Sequence, residues 1–192
     1  MNQVMKTNYS TRLEKVSILK DIFSSTNEDE LFSAFSRLNS DISIDKTTLE
    51  ADFNRYFIGP DAPLAAPYSS IYIDRSDAIM TETTQKVRNL YDVMGFENKL
   101  KNSLPEDFLG LELDAYYQLL FIEEKTNYLT DIRCYFLFEH IKVWVYDFIE
   151  AVLENKENPS LAINFIVQEL KEFFDNELKY EGDLKWATTK KM

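Results

Sequence analysis

The chain has 192 residues, 45% of them hydrophobic, enough for one domain with a sizeable core and too apolar for disorder. Its 21 basic and 33 acidic residues leave a net charge of −12, which excludes nucleic acid and anionic membrane as main partners and favours a basic one. No apolar run reaches the length of a spanning helix and residues 1–6 lack a secretion signal's apolar stretch, so a cytoplasmic protein without stable membrane insertion is expected.

Thr11-Arg12-Leu13-Glu14 has capping-box spacing, and Leu13, Val16, Ile18, Leu19, Ile22 and Phe23 recur at helical intervals, predicting a first helix from about Arg12 to Ser24. Asn27, followed by Glu28, Asp29 and Glu30, opens a second, its acids suiting the positive end of the helix dipole. Leu31, Phe32, Phe35 and Leu38 form its apolar face. Asp41 to Asp45 alternates in polarity but is too short and isolated for a strand. Asp45 or Thr47 starts a third helix through Leu49, Phe53, Tyr56 and Phe57, which Gly59-Pro60 ends.

Tyr56 to Tyr72 then holds three of the five prolines and one of the four glycines. Proline lacks an N–H and pushes the residue before it towards extended geometry, so the helical chain is forced to stop here. Four of these seventeen residues are aromatic, and an irregular segment this apolar packs on neighbouring helices or lines a groove.

A fourth helix runs from about Glu82 to Met94, with Val87, Leu90, Tyr91 and Met94 inward and Gly95 as its C′ residue. Pro105, Glu106 and Asp107, with Ser103 and Glu106 at capping-box spacing, start a fifth that continues apolar to Ile122. Tyr128 to Leu153 is the longest periodic segment, its stripe formed by Phe136, Phe138, Ile141, Trp144, Val145, Phe148 and Val152. Asn158-Pro159 reads as a cap and first-turn proline before a last helix through Leu161, Phe165, Ile166, Leu170, Phe173, Phe174 and Leu178. The tail after Gly182, with Lys185, Lys190 and Lys191, is expected to fray. About seven helices without a repeat period predict an all-α fold, an irregular bundle.

Little here suggests catalysis. His140 is the only histidine, mid-helix and one turn before Trp144, and reads as a structural residue stacked on that tryptophan. Its solitude removes His-based zinc chemistry. The single cysteine, Cys134, reads as a small buried hydrophobe and excludes both an internal disulfide and a multi-thiolate site. There is no Gly-rich phosphate loop and no HExxH, and the carboxylates lack the spacing of a calcium loop. No catalytic residue, metal ligand or cofactor is assigned. A carboxylate-based metal or small-molecule enzyme in a helical bundle stays as an alternative.

Three motifs in order carry a resemblance. Tyr56-Phe57-Ile58-Gly59-Pro60, with Pro63-Leu64, Ala66-Pro67-Tyr68 and Ser70-Ile71-Tyr72, resembles the signature loop of the TorD/DmsD/NarJ family, cytoplasmic chaperones that help mature molybdenum-containing redox enzymes. Pro105, Asp107, Glu112 and Leu113 match the family's hinge sequence Pro-x-Asp-His and the Glu-Leu after it, but Phe108 stands where the family has histidine. Phe136-Leu137, His140 and Trp144 match its Phe-Leu-x-x-His-hydrophobic-x-x-Trp.

The resemblance spans roughly Phe53 to Phe148. It implies one TorD-like domain over 1–192: an N-terminal helical part over 1–97 with its signature loop at 56–72, a hinge at 98–108 and a C-terminal part over 109–192. It also implies a non-enzymatic chaperone that binds the twin-arginine leader peptide, or the apo-form, of a molybdenum-cofactor oxidoreductase and holds it from export until the cofactor is inserted. The leader site would comprise Leu64, Pro67, Tyr68, Tyr72, Gly95, Pro105, Glu106, Asp107 and Phe108, with Gly59, Pro60, His140 and Trp144 as structural residues. Glu106 and Asp107 would meet the guanidinium groups and the aromatics the apolar segment. Phe108 cannot ionise or donate a hydrogen bond, which keeps open a NarJ-type assembly chaperone for a non-exported subunit. Some family members form domain-swapped dimers about the hinge, and the sequence is compatible with a monomer or a homodimer.

Overall fold

The computed structural model describes residues 2–38, 41–60, 62–75, 79–97, 104–126, 129–156 and 158–189, with side chains described between residues 11 and 182. Among them the chain is all-helical: α1 (Asn2–Phe23), α2 (Glu28–Leu38), α3 (Lys46–Phe57), α4 (Ser69–Ile73), α5 (Glu82–Met94), α6 (Leu109–Thr126), α7 (Thr130–Tyr135), a π-helical stretch (Phe136–Ile141), α8 (Lys142–Leu153) and α9 (Leu161–Thr189). α1 lies centrally, packed against α2, α6 and α9, and the short α4 bridges α5 and α8.

Most helix ends follow from local chemistry. Asn27 Oδ1 accepts from Glu30 N–H at 3.0 Å and Asp45 Oδ1 from Thr48 N–H at 2.9 Å, each satisfying a donor that the helix start leaves unpaired. Thr81 and Thr84 form a reciprocal box at the start of α5, and Gly95 ends it at φ +68°, where a side chain is strained. The same applies to Gly59, at φ +117°, which follows the Ile58 C-cap of α3.

Several boundaries differ from expectation. α1 extends back to Asn2, so Thr11 lies inside it and is no cap. α6 starts at Leu109, because an antiparallel bridge pairs Phe108 with Tyr68 and the residues before it form a turn, Phe108 N–H donating to Pro105 O at 3.1 Å; Ser103, the expected cap, lies outside the described residues. Ser160 caps α9, its Oγ accepting from Ile163 N–H at 3.3 Å, so Asn158 and Pro159 precede the helix. That helix continues through Gly182 to Thr189, where fraying was expected; the side chain of Lys185 and all of Lys190 and Lys191 are outside the described residues, as are Tyr128 and hinge residues 98–103. The long segment ending at Leu153 is interrupted by the π-helical stretch, in which Lys142 N–H reaches back to Leu137 O.

The core is aromatic where α1, α3 and α8 meet. Phe23 lies 5.5 Å from Phe57, and Phe57 lies 5.7 Å from Phe148, in tilted packing. This cluster is the floor on which the proline-rich segment rests.

Candidate functional site

The segment after α3 is held by its own backbone. Gly59 N–H donates to Asn54 O at 2.8 Å and Ala65 N–H to Tyr56 O at 2.8 Å, folding the loop back over the end of the helix. Ser69 N–H then donates to Asp107 O at 3.0 Å and Leu109 N–H to Pro67 O at 2.9 Å, an isolated antiparallel bridge between Tyr68 and Phe108. Sequence motifs far apart in the chain thus become neighbours, with the rings of Tyr68 and Phe108 5.5 Å apart.

Beside this bridge runs a groove of about 960 Å³, walled by the signature loop, Tyr68, Tyr72, Leu104 and Phe108, with Phe23 and Phe57 at its base. Among the described residues that line it, none is ionisable at neutral pH. Ile58, Leu64 and Ile79 line it and are 62%, 46% and 47% exposed, a concentration of large apolar side chains on a strongly charged molecule. At one end Thr26 lines the groove and also donates to the exposed Glu30 carboxylate, through N–H and Oγ1, both at 2.9 Å. These hydrogen bonds hold the Glu30 carboxyl below its ordinary value, so a charge sits at that rim.

Of the residues singled out from sequence, Leu64, Tyr68, Tyr72 and Phe108 line this groove. Pro67 and Pro105 are buried beside it. Pro60 is exposed on the loop. Gly95 lies elsewhere, on a cleft between the ends of α1 and α5 and the side of α6.

The two acids are both buried. Glu106 is clamped by Arg88, whose Nε and Nη2 donate to its two carboxylate oxygens at 3.0 and 2.9 Å, while Tyr91 Oη donates to its carbonyl at 3.0 Å. Its charge is already answered within the fold. Asp107 is wholly inaccessible, and its Oδ2 accepts from Ser70 N–H at 3.0 Å. Neither carboxylate faces the groove.

Behind the groove lies an acid that the sequence reading passed over except as a motif letter. Glu112, 1% exposed on α6, accepts from His140 Nε2 at 2.7 Å and from Trp144 Nε1 at 3.1 Å. Tyr72 in turn stacks on Trp144, ring centres 5.8 Å apart. His140 does not stack on Trp144 as its spacing suggested; it lies parallel to Phe136 at 5.5 Å, because the π-helical stretch alters the register between the two. Burial pushes the Glu112 carboxyl up, against the pull of His140. Burial also opposes charge on His140, but the Glu112 carboxylate outweighs it and raises the imidazole above its ordinary value.

A second buried network joins α1, α6, α7 and α9. Arg12 grips Glu177 with two hydrogen bonds of 2.6 Å, Tyr116 Oη donates to the same carboxylate at 2.6 Å, and the fully buried Arg133 pairs with Glu123 and Glu181. Cys134 is only partly buried and its thiol donates to Glu181 at 3.1 Å; burial and that bond push its pKa up to about 12, so it stays a thiol. The signal for both networks was acids set within apolar helical runs, Glu112 and Glu177 among them. Among the described residues no helix is long and apolar enough to cross a membrane.

The sequence profile of the nitrate reductase delta subunit family matches residues 26–150. Two similar curated proteins are both named chaperone protein TorD. That of Aliivibrio salmonicida (strain LFI1238) is 32% identical over 88 residues, 45% of this chain and 41% of the relative. That of Aliivibrio fischeri (strain ATCC 700601 / ES114) is 27% identical over 112 residues, 55% of this chain and 52% of the relative. The chain therefore spans about half the length of these relatives. A crystal structure of a candidate redox enzyme maturation protein from Archaeoglobus fulgidus covers 85% of this chain and 91% of its own, at a TM-score of 0.55 and 20% identity, which speaks to the fold. Chaperones, not catalysts, make up this family. With its profile matched over most of the chain, the chain belongs to the nitrate reductase delta subunit family, the family of the TorD and NarJ chaperones.

Proposed function

We propose that this protein is a cytoplasmic redox-enzyme maturation chaperone that binds the twin-arginine leader peptide of a molybdenum-cofactor oxidoreductase and holds the precursor from export until its cofactor is inserted. The observation that carries this reading is the groove of about 960 Å³, walled by the signature loop and the start of α6, with no ionisable residue among the described ones that line it. An apolar leader segment fits such a surface, since removing its side chains from water stabilises the complex by roughly 25 cal/mol per Å² before ordering costs. The net charge of −12 favours the basic end of the same peptide, and Glu30 stands at the rim beside Thr26.

Within this reading Leu64, Tyr68, Tyr72 and Phe108 make the contacts. Pro67 and Pro105 shape the backbone around them, while Gly95 ends α5 on a separate cleft. Glu106 serves Arg88 and not the peptide. A titration with a synthetic peptide of two arginines followed by a leucine-rich segment tests it. Tyr72→Ala should weaken binding at least about tenfold, the loss expected for a central aromatic contact. Equal binding by wild type and by Tyr72→Ala would remove the groove from the reading.

Phe108 and the absence of a carboxylate among the described residues that line the groove support a second reading, an assembly chaperone of the NarJ type that recognises a remnant leader of a non-exported subunit. It is the better reading if changing both arginines of the peptide to lysine leaves its affinity unaltered.

A further inference from the structure

The buried hinge acid has a job that its sequence context hides. We propose that Asp107 is a positioning residue: it acts as a hydrogen-bond acceptor that fixes the signature loop, and not as a charge that meets the client's arginines. The inference rests on the groove reading above but makes a separate claim about how the groove is built.

Four observations carry it. The side chain of Asp107 is completely buried, so no guanidinium reaches it without displacing the loop above. Its carboxylate accepts the N–H of Ser70 at 3.0 Å and its own carbonyl accepts the N–H of Ser69 at 3.0 Å, so two successive donors opening α4 end on one residue. These are donors that a helix start leaves unpaired, and a buried carboxylate is the strongest acceptor a side chain offers. Leu109 N–H on Pro67 O closes the bridge from the other side.

The consequence reaches the groove through α4. Tyr72, two residues beyond Ser70, stacks on Trp144 and meets Phe148 edge-on at 6.0 Å, while Tyr68 precedes the pinned pair and packs on Phe108. Releasing Ser69 and Ser70 would free both tyrosines together. Among the described residues the other carboxylate oxygen, Oδ1, has no hydrogen-bond partner, so Asp107 exceeds what an acceptor alone requires by one oxygen. An asparagine supplies the single oxygen that Ser70 uses.

The experiment compares Asp107→Asn, which keeps an acceptor and loses the charge, with Asp107→Ala, which loses both. Amide hydrogen exchange at Ser69, Ser70 and Leu109 is measured on the protein alone, and affinity is measured for the peptide of two arginines followed by a leucine-rich segment. Positioning predicts that Asp107→Asn keeps exchange and affinity within about threefold of wild type, whereas Asp107→Ala exchanges at least about tenfold faster at Ser70 and binds at least about tenfold more weakly. Wild-type exchange in Asp107→Asn combined with tenfold weaker binding would overturn the proposal, since only the charge would then be missing. Unchanged exchange in Asp107→Ala would overturn it equally. If wild type fails to bind the peptide, the groove reading fails and the exchange comparison still decides the role of Asp107. Should Asp107→Ala not fold, Asp107→Asn alone separates acceptor from charge.

Discussion

A Cβ added at Gly110 would lie 2.7 Å from Phe108 Cε1 and 2.7 Å from Ser24 Oγ, so the absence of a side chain there is what lets the Phe108 ring lie over the first turn of α6. Gly110→Ala is expected to lower stability by about 1–2 kcal/mol even after the gain in helix propensity, seen as a lower urea midpoint at unchanged slope. Because two of the three close contacts are with that ring, the third being Ser24 Oγ, adding Phe108→Ala should cost less than the sum of the single changes. His140 offers a test by pH. Its imidazole is raised in the fold, so between about 6.5, its unfolded value, and the higher folded value the native chain binds more protons than the unfolded one. That contribution is complete below the window and is lost as pH rises through it. His140→Gln should flatten the slope of stability against pH above about 6.5 in urea titrations, and an unchanged slope would dismiss the His140–Glu112 pair as its source.

At the scale of elements, polar networks in the interior decide how helices meet. Arg133 is fully buried and pairs with Glu123 from α6 and Glu181 from α9, while Tyr116 links it to the Arg12–Glu177 pair that reaches α1. Removing one member leaves charges buried without their partner, so Arg133→Met should destabilise the protein by about 3–5 kcal/mol, measured as a large drop in thermal midpoint. A change under about 1 kcal/mol would mean that the network is solvated. The existence of the long helices was legible, because amphipathic periodicity reports burial locally: Val87 and Tyr91 are buried on one face of α5, and Leu90 and Met94 pack against the core beside them. The capping of α2 by Asn27 and of α3 by Asp45 was legible for the same reason. The start of α6 was not, since Asp107 and Phe108 are held by a bridge to residues about forty positions earlier. Nor was α4, a short helix in a stretch whose prolines argue for irregular chain.

For the whole molecule, the groove separates binding from stability. Leu64 is 46% exposed and its neighbours on the loop hold the backbone, so Leu64→Asp should leave the unfolding free energy within about 0.5 kcal/mol of wild type, read from urea titrations, while weakening an apolar peptide at least about tenfold. Loss of stability in step with binding would instead make Leu64 part of the core. The amino-acid sequence by itself determined an all-helical chain, a break at Gly59-Pro60, an acidic surface and three ordered motifs, because periodicity, proline and charge act over a few residues. Only the tertiary structure decided what the motifs do to one another. It placed Phe108 against Tyr68, turned Glu106 towards Arg88, and gathered His140 and Trp144 on Glu112. It also sank Asp107 beneath the loop that the sequence had set beside it as a neighbour on an open surface. Burial and hydrogen-bond pairing depend on residues distant in the chain, and no spacing along it encodes them.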